Sequence, residues 1–246
     1  MSIDDLTKVF LISDNINAII KIQRWFIGTM VRLKRLPLVL YIIKKYLLSQ
    51  TILFSKYSKD GRINSCIDED IIITILIERY PLLIRKPKIR MWYDILVYDK
   101  QYNWIPINIK ITTMTTADNT GNLAMCVYSY TNENLDIELN KSYDNGKMSK
   151  LLIKKLKNKE YNKTHKKDYY FICINKTDCK DIIINSLKGL NILTPNINNL
   201  PFQVRWSKNR IFTYKNIKKS ITLFIDCMQK PKPSWKETFM RDIREL

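Results

Sequence analysis

The chain has 246 residues, 46% of them hydrophobic, so it is long enough to bury the core of one large domain. Its 42 lysines and arginines outnumber 23 aspartates and glutamates, which gives a formal net charge of +19. Such an excess favours a polyanionic partner, with nucleic acid first and an anionic membrane surface second. The longest apolar runs, 36–48 and 71–84, are interrupted by charged pairs, so no membrane-spanning segment is expected.

Several classes of protein are excluded by missing residue types. His165 is the single histidine and lies in a lysine-rich stretch, which argues against HNH nucleases, Ser-His-Asp hydrolases and His-rich zinc enzymes. No glycine-rich phosphate-binding motif is present. The first residues lack the pattern of a secretion signal, so we expect an intracellular protein, neither secreted nor membrane-bound. The cysteines lack CxxC spacing and are predicted to be buried free thiols: Cys66, Cys126, Cys173, Cys179 and Cys227.

Residues 1–55 are predicted to form a helical N-terminal region ahead of a main domain at 56–246. A first helix is expected to reach Lys34, and Pro37 suits the first turn of a second helix.

A segment of that first predicted helix resembles the calmodulin-binding IQ motif. The matching residues are Ile22, Gln23, Gly28 and Arg32, whereas Ile27 stands where the motif has arginine. A basic amphipathic helix of this kind suits a partner protein or DNA backbone, or it packs on the main domain. We favour packing, and a calmodulin-like partner is not expected.

A further helix is predicted from Ser65 to Tyr80, with Ser65 as its capping residue. Glu69 lies on the apolar stripe of this helix, where a carboxylate is costly to bury unless it is paired or binds a metal. Glu69 is therefore a candidate site residue, with Glu78 in reserve. The alternative is a carboxylate favoured only by the dipole at the helix N-terminus.

The clearest pattern predicts a β-hairpin formed by residues 93–98 and a strand that begins near Trp104. In the second strand, isoleucines at alternate positions occupy one face, and Asn108 and Lys110 lie on the other. Pairing of the two strands brings Asp94 close to Asn108 and Lys110 at one end of a sheet. A surface ion pair on an amphipathic hairpin is the alternative explanation.

Helix and strand signals continue after the hairpin. The predicted helices are 119–128, 147–160, 178–187, 215–228 and 235–246. The predicted strands are 135–139, 169–175 and 202–206. This order predicts a layered α/β or α+β domain.

Residues 205–210 combine side chains that suit a DNA-reading loop. Arginine and asparagine read guanine and adenine edges, and lysine suits phosphate. The candidate contacts are Arg205, Lys208, Asn209 and Arg210. The alternative is a solvated basic loop, since basic residues occur throughout this chain.

The spacing of Asp94, Pro106, Asn108 and Lys110, followed by Thr-Ala-Asp-Asn at 116–119, resembles the PD-(D/E)xK nucleases, in particular type II restriction endonucleases. The likeness covers residues 60–131. It implies a restriction-endonuclease-like mixed central sheet flanked by helices. It also implies a Mg²⁺-dependent, sequence-specific endonuclease on double-stranded DNA, leaving 5′-phosphate and 3′-hydroxyl ends, and a homodimer on a palindromic site.

The resemblance gives roles to individual residues. Asp94 binds Mg²⁺ with Glu69, the Asn108 amide and the Ile109 carbonyl, while Lys110 holds or helps to deprotonate the attacking water. Further candidate DNA contacts are Thr112, Thr116, Asp118 and Asn119.

The chain departs from the family at Asn108, where relatives have Asp or Glu. A neutral amide oxygen binds Mg²⁺ more weakly than a carboxylate. Glu69 or Asp118 supplies the missing charge, one metal suffices, or the site is inactive. Two other classes therefore stay open: a catalytically silent DNA-binding relative, and a partner-binding protein that uses the IQ-like helix.

Overall fold

The computed structural model describes residues 36–54, 61–87, 91–135, 143–164, 166–196, 200–228 and 234–244. Three predicted features fall outside these residues. They are the first helix with its IQ-like segment, residues 136–139 of a predicted strand, and His165.

Along the described chain, pairs of helices are separated by groups of strands. The helices are α1 (Leu38–Ser49), α2 (Gly61–Arg79), α3 (Leu123–Tyr130), α4 (Asn145–Lys157), α5 (Ile217–Met228) and α6 (Ser234–Ile243). The strands are β1 (Ile84–Arg85), β2 (Ile95–Asp99), β3 (Asn103–Thr112), β4 (Ala117–Asp118), β5 (Tyr170–Asn175), β6 (Ile182–Ser186) and β7 (Val204–Arg205). Short 3₁₀ turns follow β6 and β7, at Leu187–Gly189 and Trp206–Lys208.

The central sheet has five strands in the order β1-β2-β3-β5-β6, and β4 pairs with β7 in a separate two-stranded ladder. β3 and β5 are parallel, and the other neighbours in the central sheet are antiparallel. The predicted hairpin is confirmed, since β2 and β3 pair with Ile95 opposite Ile107. The prediction of a mixed central sheet flanked by helices is confirmed, and its likeness to restriction endonucleases remains a prediction.

The alternation of side chains along β3 explains why both faces of the sheet are covered. The isoleucines of β3 are buried on one face against α1 and α2: Ile105, Ile107, Ile109 and Ile111. On the opposite face, Phe171 and Cys173 of β5 pack with helices α3 to α6. A sheet buried on both faces needs apolar residues at successive positions, which β5 supplies.

Helix α1 is joined to the hairpin at its N-terminus. Pro37 occupies the N-cap position and, within the described residues, no side-chain hydrogen bond caps the helix from there. Instead, the Val39 amide donates to Asp99 Oδ2 at 3.4 Å, while the other oxygen of Asp99 accepts from the Gln101 amide at 2.8 Å. The turn of the hairpin therefore supplies a negative charge to the positive end of α1. Because α1 shares a core with the sheet, the division at residue 55 remains a prediction.

The predicted helix at 178–187 is wrong, because β6 occupies half of this segment, from Ile182 to Ser186. Its β-branched run alternates between the two cores, with Ile183 on one side and Ile182 and Ile184 on the other. Residues of this type pack well on a pleated surface, and that packing overrides the helical pattern.

Two helix starts also differ from the prediction. Helix α2 begins at Gly61, so Ser65 is not its cap. Helix α3 begins at Leu123 rather than near residue 119, because the Asn122 side chain accepts a hydrogen bond from the Met125 amide at 2.8 Å.

The thiols are free in the described residues, and three of them are buried as predicted: Cys126, Cys173 and Cys227. Cys66 is exposed and Cys179 is half-buried, which the prediction missed. None of the helices in the described ranges combines the length and apolar character needed to cross a membrane.

Candidate functional site

Asp94 is fixed at the open end of the hairpin, just before β2. Its backbone amide donates to the Ile107 carbonyl at 2.9 Å, and its Oδ2 accepts from the Ile109 amide at 2.7 Å. The register pairs Ile95 with Ile107, so Asp94 and Asn108 are the next residues on the two strands, and both line one cavity. The predicted approach of Asp94 to Asn108 is therefore confirmed.

Lys110 forms an ion pair with a residue from a different element. Its Nζ lies 2.8 Å from Glu69 Oε1 of α2, and the two side chains are only 21% and 16% exposed. Glu69 precedes the buried Ile72 and Ile73 on the same helix, as its apolar stripe predicted. Glu78, the reserve candidate, is exposed.

Burial and charge act in opposite directions on this group. Burial raises the pKa of both Asp94 and Glu69, and the nearby Lys110 opposes the shift without reversing it. Burial would lower the pKa of Lys110, but Glu69 and Asp94 outweigh it, so the pKa of Lys110 rises. Lys110 is therefore a cation at neutral pH, suited to stabilising negative charge rather than to accepting a proton.

These side chains open onto a cavity of about 320 Å³, whose lining includes Asp94, Asn108, Lys110 and Asn119. Glu69 contacts Lys110 but is not part of the lining. Gly121 also lines the cavity, and a Cβ there would lie 2.8 Å from a backbone carbonyl oxygen of the neighbouring loop. Only glycine allows that close approach at the cavity wall.

Asn108 carries an oxygen that lacks a partner. Its Oδ1 is buried and accepts no hydrogen bond from the described residues. Its amide also interacts with the hydroxyl of Tyr169, which donates to the Trp92 carbonyl at 2.8 Å. A buried acceptor without a donor is costly, so a cation or a donor from a ligand would stabilise it.

The donor atoms fit Mg²⁺ in kind. Among the described residues, no three Asp, Glu, His or Cys side chains lie close enough together to hold a metal. Asp94 and Asn108 nevertheless offer a carboxylate and an amide oxygen at one cavity. Mg²⁺ is commonly held by one or two protein carboxylates, with waters and phosphates completing the shell. The predicted role of the Ile109 carbonyl as a metal ligand remains a prediction.

The two predicted DNA-contacting segments are brought together by the small ladder. β4 pairs with β7, which sets Ala117 opposite Arg205 and Asp118 opposite Val204. Thr116, Arg205 and Lys208 are exposed beside this ladder.

Two of the predicted DNA contacts require correction. Asn209 is fully buried, and its amide is occupied by hydrogen bonds with backbone groups of Asn191, Ile192 and Arg205. Thr112 is only 8% exposed and donates to Asp118 Oδ1 at 3.1 Å. Neither side chain can reach a base edge, so both are structural.

Arg210 is half-exposed and forms an ion pair with Asp181. The hydrogen bond from Arg210 lowers the pKa of Asp181. A contact of Arg210 with DNA would compete with this pair, and it remains a prediction.

Sequence reasoning missed several residues that shape the site. Asn196 and Gln203 both donate to Asn119, from positions far along the chain. Tyr169 reaches the site from the position just before β5, and Asn145 from the start of α4. A local pattern carries no signal for such long-range contacts.

Comparison of the chain with protein-family models, with curated proteins and with solved structures gave no significant match. The function is therefore inferred from the geometry of the site and from the charge of the chain.

Proposed function

We propose that the protein is a Mg²⁺-dependent, sequence-specific endonuclease of double-stranded DNA, of the PD-(D/E)xK kind. The observation that carries this proposal is the meeting of Asp94, Asn108 and Lys110 at one cavity, with Glu69 paired to Lys110. The five-stranded mixed sheet flanked by helices is compatible with a restriction-endonuclease-like fold. The net charge of +19 favours DNA as the partner.

Asp94 and Asn108 would hold the metal, with the Ile109 carbonyl as a further ligand. When bound, Mg²⁺ polarises the scissile phosphate and lowers the pKa of a bound water. The Ile109 amide keeps one oxygen of Asp94 in place by its hydrogen bond, so the carboxylate is oriented before any metal arrives. Glu69 is engaged by Lys110, so a positioning role suits it better than the predicted place among the metal ligands.

Lys110 would stabilise the negative charge that builds on the phosphate as water attacks phosphorus and the bond to the 3′ oxygen breaks. The ion pair with Glu69 holds the ammonium group beside Asp94. Because the pKa of Lys110 is raised, it acts as a cation and a hydrogen-bond donor to phosphate or water. The proposed products are a 5′-phosphate and a 3′-hydroxyl.

Helix α4 offers a surface for the DNA backbone. Asn145, its first residue, lines the cavity, and Lys147, Lys150 and Lys154 are exposed along the same helix. Their spacing of three and four residues sets them in one stripe, opposite the buried Leu152 side. A homodimer on a palindromic site would give each strand its own cavity.

The experiment is incubation of the protein with plasmid DNA in Mg²⁺, followed by sequencing of the ends. We expect cuts at one short sequence and no cuts by Asp94→Asn, which keeps the size of the side chain and removes its charge. Asp226→Asn, at an exposed position of α5, is the matched control. Binding without cleavage would favour the catalytically silent relative, which is the second candidate because Asn108 replaces an acid.

A further inference from the structure

Asn119 stands in the cavity wall with its amide held by two neighbours. Its Oδ1 accepts one hydrogen bond from Asn196 Nδ2 and one from Gln203 Nε2, each at 2.8 Å. Asn119 itself is exposed, and it lines the cavity together with Asp94 and Lys110.

The two neighbours are well anchored. Asn196 is only 2% exposed. The backbone of Gln203 exchanges two hydrogen bonds with Thr194, at 2.7 and 2.9 Å. The amide of Asn119 is therefore held in one orientation before any ligand enters.

This orientation determines what Asn119 can offer. A side-chain amide has one oxygen with two acceptor positions and one nitrogen with two donor hydrogens. Both acceptor positions of Oδ1 are occupied, whereas Nδ2 meets no hydrogen-bond partner within the described ranges. The Asn119 side chain therefore offers the cavity a hydrogen-bond donor and no free acceptor.

We propose that Asn119 donates a hydrogen bond to an acceptor of the bound DNA, and that Asn196 and Gln203 are its positioning residues. The identity of the ligand rests on the proposed function. The acceptor is a phosphate oxygen or an acceptor atom on a base edge. Bidentate reading of adenine by asparagine requires the amide oxygen to accept from the adenine amino group. That oxygen is already engaged, so Asn119 does not read adenine in this way.

The substitution Asn119→Asp separates a role in binding from a role in folding. Aspartate keeps an oxygen that accepts from Asn196 and Gln203, and replaces the donating nitrogen by a second, negatively charged acceptor. A purely structural Asn119 would leave the thermal midpoint of this variant unchanged, and its DNA affinity would fall no further than that of a variant with the same added charge elsewhere. A donor to DNA would make its affinity fall, and further than that of Asn119→Ala, which loses one hydrogen bond and about tenfold in affinity.

The measurement is fluorescence anisotropy with a labelled mixed-sequence duplex, without Mg²⁺ so that no cleavage occurs. Asn132→Asp is the control for the added negative charge, because Asn132 is exposed beyond the far end of α3. We expect N132D to bind like the wild type, N119A about tenfold more weakly, and N119D more weakly still. N119D that binds as tightly as N132D overturns the proposal.

A randomised duplex library then distinguishes the two kinds of acceptor. Loss of preference at one position in N119A identifies a base edge, and a uniform loss across sequences identifies phosphate; either result supports the donor role. The inference fails separately from the proposed function. Cleavage by the wild type together with unchanged binding by N119D overturns the inference alone, whereas weakened binding by N119D without any wild-type cleavage overturns the nuclease. If the wild type does not bind DNA, both fall.

Discussion

Asp94 accepts a hydrogen bond from the Ile109 amide and is also the proposed metal ligand. Protonation of its carboxylate affects both roles. The pKa of Asp94 is raised by burial, so its proton is bound more tightly in the folded than in the unfolded protein. Lowering the pH through this pKa favours the folded state at Asp94 but removes the charge that a metal requires. We therefore expect cleavage to decline at a higher pH than an ordinary aspartate would give, while the fold persists.

This prediction is checked by measuring the cleavage rate and far-UV circular dichroism in parallel from neutral to acidic pH. Loss of activity must precede loss of ellipticity. If both fall together, acid acts by unfolding the protein, and the assignment of the activity loss to Asp94 is wrong.

Asn108 is the residue at which the proposed site differs from the family it resembles. Its buried oxygen has no partner in the described residues. A carboxylate at this position would bind a cation more strongly than the amide does, because it carries a negative charge. We expect Asn108→Asp to lower the Mg²⁺ concentration needed for half-maximal cleavage, or to start cleavage if the wild type is silent. The rate need not rise, because a second carboxylate beside Asp94 adds repulsion.

A Mg²⁺ titration of both proteins on one DNA substrate makes this test. Identical metal dependence would show that Asn108 does not contact the metal. Asn103→Asp, in the turn at the other end of the hairpin, controls for the added charge.

The residues of the site differ in how far the sequence could predict them. Asp94, Asn108 and Lys110 follow from strand alternation and a short turn, because both act over neighbouring residues. Asn209 has the same side-chain chemistry as a DNA-reading residue, but its burial depends on segments that fold over it. Neither burial nor long-range pairing, as with Gln203, has a local pattern.

At the scale of elements, the lysine stripe of α4 is the feature most directly open to test. Removing the charges of Lys147, Lys150 and Lys154 by substitution with glutamine should weaken DNA binding and its salt dependence. Each phosphate contact contributes roughly 0.9 to the slope of log affinity against log salt. We expect a slope reduced by up to about 2.7 if all three contact phosphate.

The matched control removes three other exposed charges, those of Lys45, Lys218 and Lys219. Its slope should remain closer to that of the wild type. Equal reductions in the two triple variants would mean that the charge acts through the whole molecule and that α4 has no special place.

The segment 178–187 shows where element prediction fails. The run of isoleucines in β6 shows no alternation of apolar and polar residues that would indicate a strand, since Ile182, Ile183 and Ile184 are all buried. A fully buried strand and a buried helix then look alike in the sequence. Only pairing with β5, which depends on the whole sheet, decides between them.

At the scale of the whole molecule, the two cores share one sheet and are expected to unfold together. Ile43 of α1 is fully buried in one core, and Phe224 of α5 is fully buried in the other. Ile43→Ala should cost about 2–5 kcal/mol and Phe224→Ala about 3–5 kcal/mol of the free energy of unfolding. Ile211→Ala, at a position 75% exposed, should change little.

Urea unfolding followed by tryptophan fluorescence and by circular dichroism measures these changes. Coincident transitions in each variant are expected for one cooperative unit. A separate early transition in Ile43→Ala would instead support an N-terminal region that folds by itself, as the predicted division at residue 55 requires.

The capping of α1 by Asp99 has a consequence for the order in which the protein folds during its synthesis. A ribosome releases the N-terminal part of a chain first, so α1 emerges well before the acid that completes it, 60 residues later. An isolated helix of this length is marginal in water. We therefore expect that α1 of the nascent chain does not form a stable helix until the β2–β3 turn has left the ribosomal exit tunnel. A pause in translation before residue 99 would leave its apolar face exposed to chaperones.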